Sequence, residues 1–146
     1  MKIDYLIFDS LPNRLLLDRI IELHTDIFGT SDDLTNKMAN KPGLLVIAAM
    51  SGAKVIGYKI GYAIDDAKFY SWLGGVATNF REFGIGSTIM EKQHNYLREK
   101  GYSLVQTKTM NRWRSMLVLN IKNGFDVIET YTDEKGLHKI ILEKSL

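Results

Sequence analysis

The sequence predicts an α+β fold, a mixed and mostly antiparallel β-sheet flanked by helices, built by one domain over residues 1–146. Three observations lead there. A short apolar strand is followed by two helix-like segments. Three consecutive runs rich in β-branched and aromatic residues come next, separated only by tight turns. Strands and helices then alternate before a closing strand pair, for an order of β-α-α-β-β-β-α-β-α-β-β.

"IDYLIFD" reads as the first strand. "SLPNRLLLDRIIELHTDIFG" reads as a helix with Ser10 as cap and Pro12 in its first turn. Leu16, Ile20, Leu23 and Ile27 supply its apolar stripe and Gly29 closes it. "TSDDLTNKMANKPG" has cap-like Thr30 and Ser31, a short second helix and a Pro-Gly stop. "LLVIAAM", "VIGYKIGYAI" and "FYSWLGGVA" form an antiparallel meander punctuated by Ser51-Gly52 and Asp65-Asp66. A helix runs from Ile85 to Lys100, with Ile85, Ile89, Met90, Tyr96 and Leu97 on one side and Glu91, Asn95, Arg98 and Glu99 on the other. Gly101 ends it. "YSLVQTKT" is a strand, "NRWRSMLVLNIKNG" a helix stopped by Gly124, and two strands flank the turn at "TDEKG".

The totals narrow the function classes. Hydrophobic residues make up 45% and charged residues 25% of the chain, which suits a globular protein with a real core. The formal charge of +2, from 19 basic and 17 acidic residues, leaves no broad nucleic-acid footprint, so no nucleic-acid partner is expected. There is no cysteine, which removes disulfides, thiolate metal sites and cysteine nucleophiles, and fits a reducing cytoplasm. The start "MKIDYLIFDS" is too short and too interrupted by Asp4 and Asp9 for a signal peptide. No apolar run reaches bilayer length, and no His, Asp and Glu cluster has metal-ligand spacing, so neither a membrane nor a metal is expected. The oligomeric state is open between monomer and homodimer.

The stretch "FREFGIGS", residues 80–87, carries the chemistry. Gly84 and Gly86 stand where a strand gives way to a helix. The first amides of a helix have no internal partners and sit at the positive end of its dipole, so they bind anions; Arg81 adds charge. A dinucleotide fingerprint requires a third glycine where Ile89 stands, and a P-loop requires a lysine that does not precede Ser87-Thr88. The plainer alternative is that both glycines only turn the chain and let the helix pack. Gly74 and Gly75, side by side in the preceding strand, mark a bulge or a close approach by another group. Together the two devices point to an elongated phosphorylated ligand.

Val76, then Arg81-x-x-Gly84-x-Gly86-Ser87, resembles motif A of the GNAT N-acetyltransferases. "NRWRSMLVLNIKNGF", residues 111–125, is similar to that family's closing segment of an asparagine, an apolar helix and Gly-Phe. The element order also resembles the GNAT fold almost end to end. The resemblance implies acetyl-CoA as co-substrate, its pyrophosphate on the amides of Glu82, Phe83, Gly84, Ile85, Gly86 and Ser87. It implies a pantetheine arm paired with backbone near Val76, in a splay between the fourth and fifth strands, with Asn111 reaching the cofactor and the Gly74 amide facing the thioester oxygen. Such an amide acts as an oxyanion donor.

The implied reaction is direct acetyl transfer to a primary amine of a small-molecule or peptide acceptor. That amine must be neutral, and a lysine-like amine costs roughly 4.6 kcal/mol to deprotonate at pH 7, so a base or water chain is expected. Tyr70, Asp26, His24 and Asp65 are the candidates, with Tyr70 four residues before Gly74 where some family members carry a carboxylate. Many members carry a tyrosine acid where this chain has Asn120, which the helical wheel groups with Trp113, Met116, Leu117 and Ile121. Asn120 is then either a functional contact or a structural amide bonded to nearby backbone. Release of a thiolate at pH 7 costs only about 2 kcal/mol, so catalysis survives without that tyrosine. Arg112, Trp113 and Arg114 could meet the ribose phosphate or an acceptor, and Phe28, Met38, Tyr58 and Tyr62 could line an acceptor pocket or simply belong to the core. The rival readings are a non-catalytic acyl-CoA-binding sensor and an interaction domain with an empty cleft.

Overall fold

A computed structural model describes residues 2–146. The strands are β1 (Asp4–Phe8), β2 (Leu45–Ser51), β3 (Lys54–Ala63), β4 (Lys68–Val76), β5 (Leu104–Thr109), β6 (Asp126–Thr132) and β7 (His138–Ser145). The helices are α1 (Arg14–Phe28), α2 (Leu34–Ala39), α3 (Ile85–Glu99) and α4 (Arg114–Lys122), with a single 3₁₀ turn at Thr78–Phe80. The strands form a seven-stranded sheet in the order β1-β2-β3-β4-β5-β7-β6. Every neighbouring pair is antiparallel except β4 and β5, which α3 joins as a parallel crossover. The architecture is the α+β arrangement the sequence predicts.

Local details differ from the expectation at the helix starts. Asn13, not Ser10, caps α1, its side chain accepting from the Leu16 amide at 3.0 Å. Pro12 therefore precedes the cap instead of occupying the first turn. α2 follows Asp33, which takes a left-handed φ of 53°, so Thr30 and Ser31 lie ahead of the helix rather than at its cap. α4 begins at Arg114, three residues later than the apolar pattern implied, leaving Asn111, Arg112 and Trp113 in the turn before it.

The sheet is covered on both faces. Leu16, Leu17, Ile20 and Leu23 of α1, with Leu34 and Met38 of α2, pack on Val46, Ala48, Tyr58 and Ile60. On the opposite face, Ile85 and Ile89 of α3 pack on Ile47, Ala49 and Ile56, while Met90 and Leu97 meet Phe69, Val105, Phe125 and Leu142. Burial on both faces explains why β2 reads as an unbroken apolar run although its neighbours are antiparallel. Met38 and Ile20 are fully buried, and each such side chain contributes roughly 1.5–3 kcal/mol.

The register shifts between Ile60 and Gly61 of β3: Ile60 opposes Leu73 but Gly61 opposes Ser71. Trp72 is thus the extra residue of a β-bulge, so Trp72 and Leu73 both join the α1 face. Gly74-Gly75 read as a bulge or a close approach by another group; the bulge sits just before them. Gly61 is required there, because a Cβ would lie 2.6 Å from the Tyr70 carbonyl oxygen and inside the Phe69 ring. Gly61→Ala is expected to destabilise the protein by roughly 1–3 kcal/mol, the usual range for overpacking, in a urea titration. Leu15→Ala, at an exposed position of α1, should stay within about 0.5 kcal/mol of the parent.

Candidate active site

β4 and β5 pair at only four positions, from Lys68↔Leu104 to Ser71↔Thr107. Beyond the bulge, Trp72 to Val76 have no partner on β5, while β5 continues along β7. The two parallel strands therefore splay, exposing backbone donors and acceptors that an extended chain can satisfy as an added strand. Thr107 pins the apex, its hydroxyl donating to the Ser71 carbonyl at 2.9 Å.

The splay opens toward the start of α3. Glu82 and Gly84 both take left-handed backbone, at φ of 71° and 75°, and Gly84 is the N-cap with no side-chain capping bond. The first amide of this segment with a helical acceptor is that of Thr88, which donates to the Gly84 carbonyl. The amides of residues 82–87 donate to no acceptor among the described residues. Left-handed residues alternating with others make a concave nest of donors, and here it lies at a positive helix end. Arg81 is exposed beside it and donates from Nε to the Val76 carbonyl at 3.2 Å, tying the nest to the end of β4.

The two glycines of this loop do different things. Gly84 supplies the positive φ, and nothing within 4 Å would obstruct a side chain there. At Gly86 a Cβ would come within 3.1 Å of Leu119 of α4, so its glycine lets α3 and α4 approach. The packing alternative thus applies to Gly86, and the donor nest to Gly84.

The two faces of the splay carry different chemistry. Toward α3 and α4 lies a buried polar layer of Lys59, Ser71, Gln93, His94, Thr107 and Asn120. Gln93 donates weakly to the Ser71 hydroxyl at 3.4 Å and leaves its Oε1 unpaired, and Asn120 Nδ2 also finds no acceptor among the described residues. Asn120 is 2% exposed whereas Ile121 is 52% exposed, so the two do not share the face assigned to them from sequence. The Lys144 ammonium donates to His94 Nδ1 at 3.1 Å, which places the ring proton on Nε2, an atom without a partner. Burial, and then the Lys144, Lys59 and Arg98 charges, hold the His94 pKa down at about 3.

Toward α1, Tyr58 opposes Gly75 and its hydroxyl shares a hydrogen bond with His24 Nδ1. Burial lowers the His24 pKa and raises that of Tyr58, so both are neutral at pH 7. The His24 ring lies 4.8 Å from the Phe28 ring, and Phe28 meets Trp113 at 5.2 Å. α1 and the turn before α4 flank opposite sheet faces, so this contact requires a place where no strand separates them. Tyr62 packs on Tyr70 and Trp72, and the Lys41 ammonium lies 4.6 Å from the Tyr62 ring and 5.1 Å from the Trp72 ring. Met38 is fully buried core and lines no cleft.

Among the other sequence-derived candidates, Tyr70 has its pKa pushed up to about 12, first by burial and then by Tyr62 and Tyr131, so it stays protonated. The Asp65 carboxylate accepts from the Ala67 and Lys68 amides and serves the turn. Asp26 is exposed on a shallow groove with Arg19, Glu22 and Lys54. Asn111 is exposed in the turn before α4, and Gly74 and Val76 lie on the part of β4 that pairs with β3 but not with β5. Sequence reading missed Lys59, Gln93 and His94. Their signal was polarity out of place: a lysine inside "VIGYKIGYAI", and two polar residues following Ile89 and Met90 on the buried side of α3.

No family model and no curated protein matches the sequence. Solved structures do match in shape. A GNAT family acetyltransferase from Elizabethkingia anophelis, with acetyl-CoA bound, aligns over 99% of this chain and 98% of its own at 18% identity and TM-score 0.76. A GNAT-family acetyltransferase candidate from Desulfovibrio desulfuricans aligns over 99% of both chains at 16% identity and TM-score 0.80. A ribosomal-protein alanine N-acetyltransferase from Escherichia coli aligns over 97% of this chain and 94% of its own at 14% identity and TM-score 0.76. The chain has the GNAT fold. No helix among the described residues is long and apolar enough to cross a membrane. Nor does any described group of three or more His, Cys, Asp or Glu have metal-holding geometry.

His94 makes stability depend on pH. Its folded pKa lies below the unfolded value near 6.5, so between those values the unfolded chain binds more protons. Its contribution is complete above pH 6.5 and shrinks as pH falls, by up to about 1.4 kcal/mol per pH unit. His94→Gln is expected to flatten the decline in urea-unfolding free energy between pH 6.5 and 5. An unchanged slope would show that His94 protonates freely in the folded state.

Proposed function

We propose that residues 1–146 form one acyl-CoA-dependent N-acyltransferase domain, with acetyl-CoA as donor and a primary amine as acceptor. One observation carries this reading: six unpaired amides at residues 82–87 adjoin a strand edge left unpaired from Trp72 to Val76. The first suits a pyrophosphate and the second an extended amide-bearing arm, in the arrangement of a fold whose neighbours include an acetyl-CoA-bound acetyltransferase. Arg81 adds charge to the pyrophosphate site, and the exposed Asn111, in the turn before α4, is proposed as a further cofactor contact. The Gly74 amide is the candidate oxyanion donor on the open edge of β4.

The acceptor enters from the α1 and α2 face. Tyr62 and Trp72 already hold one lysine ammonium there, which supports a cationic amine as substrate. His24 is the base this reading assigns to take its proton, because it hydrogen-bonds Tyr58, the residue opposite Gly75, and burial keeps the ring neutral. The role requires the tautomer in which Nδ1–H donates to the Tyr58 oxygen and Nε2 is the acceptor. No cysteine is available to carry an acyl group, so transfer is direct. The same absence suits a cytoplasmic site of action.

Acetyl-CoA at a hundred times its Kd should stabilise the protein by about 2.7 kcal/mol in thermal unfolding. Gly84→Asp with Arg81→Ala should weaken binding at least tenfold, since each charge-assisted hydrogen bond contributes roughly 1.5–3 kcal/mol. His24→Gln should leave binding intact and slow amine-dependent thiol release about a hundredfold or more. Binding without turnover across a panel of amines would favour the sensor reading. Absence of binding would overturn the proposal.

A further inference from the structure

Lys59 lies in the middle of β3 and is 8% exposed, yet it forms no salt bridge and donates no side-chain hydrogen bond among the described residues. Buried lysines ordinarily have a partner, because an unpaired charge inside a protein is costly. Its backbone opposes Gly74, and its Nζ lies 3.5 Å from the position a Gly74 Cβ would take. The ammonium thus lies in van der Waals range of Gly74, on the α3 face of β4, where pairing with β5 has ended. Burial lowers its pKa to about 8, close to that of a thiol. The charges that act on neighbouring His94 are Lys59 itself, Arg98 of α3 and Lys144 of β7, all basic. Among the described residues no carboxylate forms a salt bridge with the amine.

We propose that Lys59 is the acid that stabilises and protonates the departing thiolate, in place of the tyrosine that Asn120 replaces. This rests on the acyl-CoA reading above and adds a residue to it. As the acceptor nitrogen bonds to the thioester carbon, the carbon–sulfur bond breaks and its electron pair leaves on sulfur. The Lys59 ammonium gives that sulfur a proton, yielding free thiol and a neutral amine. The acceptor's proton passes to His24 or water, and solvent recharges Lys59. Donor and recipient of near-equal acidity suit such a transfer.

The test uses free coenzyme A as probe and follows the ultraviolet absorbance of its thiolate in the bound state. In the parent protein the bound thiol should titrate at least one unit below its value in Lys59→Met, because an opposite charge within a few ångströms lowers an acid's pKa by about 1–3 units. Lys59→Arg, which keeps the charge, should retain most of that shift. Lys59→Met removes an unpaired buried charge, so it should fold at least as well as the parent. Coenzyme A bound by both proteins with identical thiol titration would overturn the role of Lys59 alone. Failure of the parent to bind coenzyme A would overturn this role and the donor reading together.

Discussion

The separation of β4 from β5 beyond Ser71↔Thr107 is the constraint on which the rest of the structure depends. Parallel strands that stayed paired would satisfy their own backbone and leave nothing to offer a ligand. Here the extra residue at Trp72 bends β4 just past the last paired position, while β5 follows β7 instead. Gly61 makes the bend possible from the neighbouring strand, and the Thr107 hydroxyl closes the apex. The opening also lets Phe28 and Trp113 meet across the layer of the sheet.

The splay and the start of α3 form one device. Val76 ends β4, its carbonyl accepts from Arg81, and the chain reaches Gly84 through a 3₁₀ turn and a left-handed Glu82. A non-glycine residue held at positive φ is mildly strained, and such strain persists where the surroundings enforce it. The result is a set of amides without acceptors among the described residues, a few residues beyond a strand edge that β5 does not pair. Behind it, the two faces divide the chemistry. The α1 face offers a neutral histidine–tyrosine pair and aromatic rings suited to a cation. The α3 face offers buried amides and one lysine without a counter-ion.

Much of this was legible in the residues. The element order and the run of unpaired amides before α3 followed from apolar periodicity and glycine position, which are properties of nearby residues. The parts that were not legible depend on partners distant in sequence. The bulge at Trp72 is set by register against Gly61, and the paired glycines after it pointed two residues too far along the strand. Gly86 looks like a ligand-approach glycine until Leu119 is seen against it. Asn13 displaced Ser10 as cap because the first buried turn of α1 begins at Leu16 and Leu17. Ile121 seemed to share the face of Asn120, but a 100° step per residue separates neighbours on a short helix. Lys59 and His94 were missed, because only tertiary packing shows that their side chains are buried together with other polar groups.

The most direct measurement is amide hydrogen exchange, resolved by residue, with and without coenzyme A. The account predicts that the amides of residues 82–87, and those of Trp72 to Val76 that point away from β3, exchange rapidly in the free protein and become protected together when coenzyme A is added. Protection arising elsewhere, with both segments unchanged at saturating coenzyme A, would contradict it.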